Sequence, residues 1–325
     1  GLSLGVNRGI LFKEAAQLET MAKVDTLVLD KTGTITVGKP QVVNEIIFSE
    51  FDKELLYSLT KSSKHPVSHG VFEYLETLEE GLSVVEFDEF VQLPALGVLA
   101  TKDSFTLLGG NYRLMQENGI EVEHTSDKTL FYFAINQKIL AIYELDDKIK
   151  EGALALIEDL KKRNIETIML TGDNENAALR VAKTIGLKNV YWEQTPEDKA
   201  NFISKLHEQK RTVVMVGDGV NDILALAIAD IGIVMGSGSD IAVDVGDVLL
   251  LNDSLLSLGD TFKISRTTYG LIKQNLGISL VYNAITIPLA MGGYIIPLIA
   301  AISMSLSSLL VVGNSMRIKI KWNKG

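Results

Sequence analysis

Three observations predict an α/β chain: a doubly wound domain, interrupted by a second domain and followed by a helical hairpin long enough for a membrane. Short β-rich runs end in polar, glycine-bearing turns and alternate with helical stretches. The first of these runs stands about 140 residues ahead of the rest, with text of different character between them. Near the carboxyl end, the 43 residues from Gln274 to Met316 hold no Asp, Glu, Lys, Arg or His.

The first run is "VDTLVL" (Val24 to Leu29), which leads into "DKTGTIT". It has the form of a buried parallel strand with a functional loop at its carboxyl end. Three later runs repeat it: "IETIML" before "TGDN", "TVVMV" before "GDGVND", and "ADIGIVM" before "GSGSD". Between them, "KEGALALIEDLKKRN", "NENAALRVAKTIGL" and "PEDKANFISKLHEQK" carry apolar residues at helical spacing. Residues 24–38 and 144–260 are therefore assigned to the doubly wound domain. Residues 39–143, with short strands, a few helices and glycine-bearing turns, form an inserted α+β domain.

A membrane helix needs about 20 apolar residues. The uncharged run thus makes two spans, about 275–293 and 296–314, within a membrane segment 261–325, with "GGYIIP" as the turn. Lys273 precedes the hairpin and Arg317, Lys319, Lys321 and Lys324 follow it, so both ends face the cytoplasm. The opening 23 residues lack the basic start and sustained apolar core of a signal peptide, and read as a stalk helix following a membrane helix. The chain begins with Gly1 and reads as cut from a longer one.

Composition narrows the functional classes. Of 325 residues, 41 are acidic and 31 basic, a net charge of −10, which argues against a nucleic-acid footprint. There is no cysteine, hence no disulfide, thiolate metal site or catalytic cysteine in the chain. The mean hydropathy of +0.20 reflects the apolar carboxyl end.

The polar clusters at the strand ends should converge on one crevice. Together they offer what phosphoryl transfer needs. Asp30 is a carboxylate nucleophile, and Asp218 and Asp222 are hard oxygen ligands suited to Mg²⁺. Thr171 and the backbone of "TGD" can donate to phosphate oxygens, and Lys199 can neutralise developing charge. A hydrolase working through an aspartyl-phosphate wants a second carboxylate two positions on, to activate water. That position is Thr32, so the acyl phosphate should persist.

With "DKTGTIT", "TGDN" and "GDGVND" in that order, the sequence resembles P-type ATPases, members of the haloacid-dehalogenase-like superfamily. The resemblance implies that ATP phosphorylates Asp30, and that Asp30, Asp218, Asp222 and the Thr32 carbonyl bind Mg²⁺. It implies a catalytic set of Asp30, Lys31, Thr32, Thr171, Gly172, Asp173, Lys199 and Asn221. It also makes the first domain a phosphorylation domain, the second a nucleotide-binding domain, and Asp147 an aspartate at the hinge that serves the nucleotide.

"SKHPVSHG" resembles the His-Pro motif of the heavy-metal branch, which implies that His65 and Pro66 orient the adenine. Gly97, Gly110 and Asn111 resemble further nucleotide contacts. Two positions depart from the pattern: Ala95 replaces the first glycine of a Gly-x-Gly pair, and Thr60 stands where a glutamate is common. Both bear on the adenine contacts.

"VYNAITIPLA" and "AAISMSLSSLLVVGNS" resemble the copper(I) branch, with Tyr282, Asn283, Met304 and Ser308 as ligand or gate candidates. Thioether sulfur suits Cu(I), and polar groups inside a membrane helix tend to face a pathway. The expected function is ATP-driven copper(I) transport across a bacterial inner or plasma membrane, with the soluble domains cytoplasmic and a copper chaperone as a partner. The alternatives are a P-type ATPase for zinc, cadmium or potassium, and a soluble phosphatase of the same superfamily. The family's Cys-Pro-Cys site and actuator domain would precede residue 1, so the chain reads as the carboxyl-terminal part of a pump.

Overall fold

The structure is a computed structural model. It describes residues 2–78, 81–122, 124–219, 221–236, 238, 240–293 and 297–322. Val220 of "GDGVND", Ser237 and Ser239 of "GSGSD", 294–296 of the expected hairpin turn, and Lys324 lie outside them.

A seven-stranded sheet runs in the order Ile10–Phe12, Val248–Leu250, Ile231–Met235, Val213–Gly217, Thr26–Asp30, Glu166–Leu170, Asn189–Tyr191. Every neighbouring pair is parallel except the first. Thr26–Asp30 is an inner strand, fifth of the seven, and the chain moves first to one side of it and later to the other. The order therefore reverses at this strand, and the crevice at its carboxyl end is where an open parallel sheet takes ligands. Alternation along the strand buries both faces. Leu27 and Leu29 pack with Leu156, Val181, Met21 and Phe262, while Val28 packs with Ile203, Leu206 and Leu226 on the other face.

The second sheet is antiparallel, in the order Gln41–Ile47, Lys138–Asp146, Thr129–Ile135, Phe105–Gly110, Gly97–Lys102, Glu89–Leu93. Phe131 and Phe133 meet the helices Lys53–Lys61 and Pro66–Leu78 on one face. Leu130 and Tyr132 meet Leu114 and Met115 of the helix Tyr112–Glu117 on the other. The strand Lys138–Asp146 runs three residues past the expected boundary at 143.

Residues 1–23 do not form the single helix expected. The described part is a short helix Leu2–Val6, the strand Ile10–Phe12 and a second helix Ala15–Ala22. Gly9, at φ +73°, allows the turn between the first helix and the strand. Ile10 and Phe12 point into the core, so pairing with Val248–Leu250 wins over helical continuity.

The carboxyl end is a helical hairpin, Leu255–Met291 and Pro297–Trp322. The first helix starts well before the expected span, because its opening turns bury Leu255, Leu258 and Phe262 against the seven-stranded sheet's helices. Asn275–Ser315 and Tyr282–Ser303 contacts fix an antiparallel arrangement. Among the described residues no helix is long and apolar enough to cross a membrane. Gln274, Asn275 and Asn283 dilute the first helix, and side chains 297–301 at the start of the second lie outside the description.

Gly97 pairs with Gly110 across two strands, and at φ +146° a Cβ on Gly97 would lie 2.2 Å from the Gly109 carbonyl oxygen. Gly97→Ala should therefore cost about 3 kcal/mol of stability, the upper part of the ordinary range for single substitutions. Scanning calorimetry reads this as a lowered melting temperature; a variant melting within a degree of the parent would contradict the close approach.

Candidate active site

Asp30 ends the strand Thr26–Asp30 and is buried, with 6 % of its surface exposed. Lys199 Nζ donates to Asp30 Oδ1 at 2.6 Å and to Asp222 Oδ1 at 2.8 Å. Local sequence puts that ammonium there. Thr195 caps the helix Pro196–Glu208 through Asp198 N–H at 3.1 Å, Asp198 Oδ2 accepts from Thr195 N–H at 3.0 Å, and Pro196 starts the first turn. Lys199 follows with its stem in the core.

Two buried carboxylates share this one ammonium. Burial, then the charge of Asp222, pushes the Asp30 carboxyl up to about 7, against the pull of Lys199. Burial raises Asp222 as well, opposed by Lys199 and aided by Asp218. On Lys199 burial works against the charge, yet Asp222 and Asp30 hold its pKa above the ordinary lysine value.

Carboxylate oxygens of Asp30, Asp218 and Asp222 lie within 4.8 Å of one another. Asp222 Oδ2 is buried without a hydrogen-bond partner. Backbone closes in around the group: a Cβ on Gly33 would stand 2.7 Å from Asp218 Oδ2, and one on Gly217 2.5 Å from Asp222 Oδ2. Three hard oxygens with an unmatched negative charge fit a divalent cation such as Mg²⁺.

The loop after Asp30 is a wide turn in which Thr36 N–H returns to the Lys31 carbonyl at 3.0 Å. Lys31 turns away from Asp30 and pairs with Asp173. Thr129 of the inserted domain joins them, donating to Asp173 Oδ1 at 3.1 Å and accepting from Lys31 Nζ at 3.4 Å. Thr171 Oγ1 accepts from Asp173 N–H at 3.2 Å.

One cleft runs from these groups into the inserted domain. Asp30, Thr32, Thr171, Gly172, Asp173, Lys199, Asp218 and Asn221 line its deep end, and His65, Pro66, Gly97, Gly110 and Asn111 its outer end. Val67 N–H donates to His65 Nδ1 at 3.2 Å, and burial depresses the pKa of the ring. A neutral imidazole accepting at Nδ1 carries its proton on Nε2. Asn111 caps its helix through Leu114 N–H at 3.0 Å and donates to the Ala95 carbonyl at 2.8 Å. Ala95 sits at φ +59°, left-handed backbone that costs a non-glycine residue about 1–2 kcal/mol. Thr60 is buried and turns its hydroxyl to the Leu56 carbonyl at 2.8 Å, away from the cleft.

Some expected site residues fall elsewhere. Asp147 does not line the cleft: its carboxylate accepts from Thr36 Oγ1 at 2.5 Å, Gly38 N–H at 3.1 Å and Lys39 N–H at 3.3 Å. It latches the two strands of chain that enter and leave the inserted domain, and its oxygens are used up there. Tyr282, Asn283, Met304 and Ser308 lie on the helical hairpin, outside this cleft. The Tyr282 hydroxyl meets Ser303 Oγ at 2.7 Å, Ser308 donates to the Met304 carbonyl at 3.1 Å, and Asn283, Met304 and Ser308 are exposed. Sequence reasoning missed Thr129 and Arg113, which line the cleft from the inserted domain. Arg113 directly follows "GGNY" and was within reach; Thr129 opens a strand with no motif around it.

Comparison with known proteins agrees with this architecture. The model of haloacid dehalogenase-like hydrolases matches residues 24–230. The chain belongs to that family. Within the haloacid dehalogenase-like hydrolases, its relatives are P-type ATPases. The probable copper-importing P-type ATPase A of Enterococcus hirae is 37% identical over 333 residues, 99% of this chain and 45% of that protein. The copper-exporting P-type ATPase of Staphylococcus saprophyticus is 37% identical over 328 residues, 98% of this chain and 41% of that protein. The chain thus spans less than half the length of these curated relatives. Among solved structures, the catalytic domain of the CPx-ATPase CopB-B superposes with a TM-score of 0.71 at 26% identity, covering 82% of this chain and 98% of that one. A zinc-transporting PIB-type ATPase in the E2.Pi state gives 0.67 at 28% identity, covering 98% and 53%. These relatives bear out the resemblance drawn from "DKTGTIT", "TGDN" and "GDGVND".

The raised pKa of Asp30 has a consequence for stability. The folded protein retains a proton on Asp30 that the unfolded chain, with a pKa near 3.8, has already released. Without a bound cation, stability from this group is present below about pH 4 and is lost as pH rises to about 7. Asp30→Asn removes the titration, so at pH 8 it should melt a few degrees above the parent. The gap should close toward pH 4. Calorimetry across pH checks this, and a pH-independent gap would count against it.

Proposed function

We propose that the chain is the catalytic and membrane-helix part of a copper(I)-transporting P-type ATPase, in which ATP phosphorylates Asp30. The observation that carries this reading is the buried Asp30, held by Lys199 at 2.6 Å in a cleft that continues to His65, with no carboxylate at position 32.

In the proposed step an Asp30 carboxylate oxygen attacks the γ-phosphorus of ATP. The bond from that phosphorus to the β–γ bridging oxygen breaks, and ADP departs with the electron pair. Lys199 and Asp222 hold the nucleophile in place, and the ammonium offsets negative charge as it gathers on the phosphoryl oxygens. Thr171 and the Gly172 backbone line the position those oxygens would take. Asp218, Asp30 and Asp222, with the Thr32 carbonyl, would hold Mg²⁺, which when bound supplies further neutralisation of phosphate charge. At the outer end the Nε2–H of a neutral His65 is a donor for a ring nitrogen of adenine, and Pro66, Gly97, Gly110 and Asn111 shape the same end. Thr32 brings no base to water beside the nucleophile, which favours a lasting acyl phosphate over phosphatase turnover.

The hairpin supports the membrane part of the reading. Leu276, Leu280, Val281, Ile285, Leu306, Leu309 and Val312 are each more than half exposed, an apolar surface larger than solvent-facing helices carry. Tyr282, Ser303 and Ser307 sit between the helices. Asn283, Met304 and Ser308 each follow one of them, a rotation of about 100° in an α-helix. In an antiparallel pair those rotations fall on the same side, which favours a shared face toward further helices. A thioether there suits Cu(I). The zinc-transporting structural neighbour favours a divalent metal instead, while the absence of charge from 274 to 316 weighs against one. The two curated relatives differ in stated direction, one importing and one exporting.

Incubation with γ-labelled ATP and Mg²⁺ should give an acid-stable label on the chain. Asp30→Asn should abolish it, and Lys199→Met should slow its formation about 10²–10³-fold, as loss of a preorganised charge does. A label that survives Asp30→Asn would refute the assignment. In a full-length pump bearing this chain, Cu(I) or Ag(I) should stimulate ATP hydrolysis; stimulation by Zn²⁺ alone would overturn the copper assignment.

A further inference from the structure

Lys150 joins two places that are far apart in sequence. Its side chain is 9% exposed, and its Nζ donates to the Gly33 carbonyl at 2.8 Å while pairing with Asp253 Oδ2 at 2.9 Å. Gly33 lies three residues after Asp30, in the loop that carries Thr32. Asp253 directly precedes Ser254, which caps the 37-residue helix Leu255–Met291 through Leu256 N–H at 3.2 Å.

The surrounding backbone keeps this link in register. Lys150 N–H donates to the Ile35 carbonyl at 2.9 Å, Val37 N–H to the Lys148 carbonyl at 2.9 Å, and Thr36 bridges Ile149 in antiparallel fashion. The segment 148–150 is thus zipped to the nucleophile's loop before the ammonium turns back to Gly33. Two residues on, Gly152 is at φ +82°, and a Cβ there would meet Leu256 Cδ2 at 3.1 Å. The same short segment therefore touches the phosphoryl-acceptor loop with one end and the first turn of the long helix with the other. Gly33 cannot shift freely, because its Cα faces Asp218 so closely that a Cβ would stand 2.7 Å from Oδ2.

We propose that Lys150 is a positioning residue for phosphoryl transfer to Asp30, and that its pairing with Asp253 ties the nucleophile's loop to the start of the long helix. The inference rests on Asp30 being the phosphoryl acceptor. Lys150 touches no reacting atom. It acts by holding the Gly33 peptide, and through it Thr32, against Asp218, so any movement of that loop on phosphorylation pulls on Asp253 and the helix it begins. A buried ammonium shared by a carbonyl and a carboxylate suits this role, since removing either partner changes the position of the other.

The test uses the full chain and labelling by γ-labelled ATP. Lys150→Met should slow labelling tenfold or more with the KM for ATP within twofold of the parent, and Lys150→Arg should recover most of the rate. Asp253→Asn, a milder change in a surface loop, should slow labelling in the same direction. The double variant Lys150→Met with Asp253→Asn should be no slower than Lys150→Met alone, because both act through one link. Melting curves on each variant separate folding from rate. If Asp253→Asn labels at the parental rate, or the two effects multiply in the double variant, the link is refuted. If the parent itself takes no label, the phosphoryl-acceptor reading fails and the inference with it.

Discussion

One ammonium between two buried carboxylates organises this molecule. Lys199 lies 2.6 Å from Asp30 and 2.8 Å from Asp222, and none of the three side chains has meaningful access to water. Such an arrangement is poor economy for stability, because desolvating three ionic groups consumes much of what their attraction returns. Burial, and then the charge of Asp222 beside it, drives the Asp30 carboxyl up to about 7 against the pull of Lys199. The arrangement fits the proposed phosphoryl-acceptor role of Asp30, since a cation beside the three carboxylates would complete the neutralisation. Much nearby structure serves this triad. The parallel strands bring Asp30 and the "GDG" turn side by side, and the capping box at Thr195 sets the turn from which Lys199 reaches inward.

A second constraint is the join between the two sheets. The inserted domain leaves after Gly38 and returns at Asp147, and that carboxylate holds both crossings through Thr36, Gly38 and Lys39. On the cleft side the closure is polar. Arg180 reaches Asp146 at 2.5 Å, Asn174 donates to the Lys128 carbonyl at 2.8 Å, and Thr129 bridges Lys31 and Asp173. Charged and hydroxyl contacts of this kind exchange readily with water or with a nucleotide, unlike an apolar interface.

The hairpin obeys a different solvent logic. Its first turns are anchored in the core of the seven-stranded sheet by Leu255, Leu258 and Phe262, and beyond Lys273 the same helix turns its leucines and isoleucines outward. Polar groups gather between the helices instead: Tyr282 with Ser303, and Asn314 with Asn275. Asn283 and Ser308, by contrast, face outward together with the aliphatic groups.

The motifs and their order were enough to point to the family. Hydrophobic patterning placed "DKTGTIT", "TGDN", "PEDKA" and "GDGVND" each at a strand end or helix start, as the structure has them. Local rules suffice for this, since strand periodicity and capping are short-range. Other features depended on contacts between distant segments. Ile10–Phe12 became a strand because Val248–Leu250 offered it an edge more than 200 residues away. Asp147 was legible as a hinge residue, but only the fold spent its oxygens on backbone amides and took it out of the cleft. Thr129 carries no motif, and enters the site because the inserted sheet docks over Asp173. Sequence by itself determined which groups could do chemistry here; tertiary structure decided which of them share a cleft and which charge goes unpaired, because electrostatic energy in a buried site depends on distances of a few ångströms that no one-dimensional pattern contains.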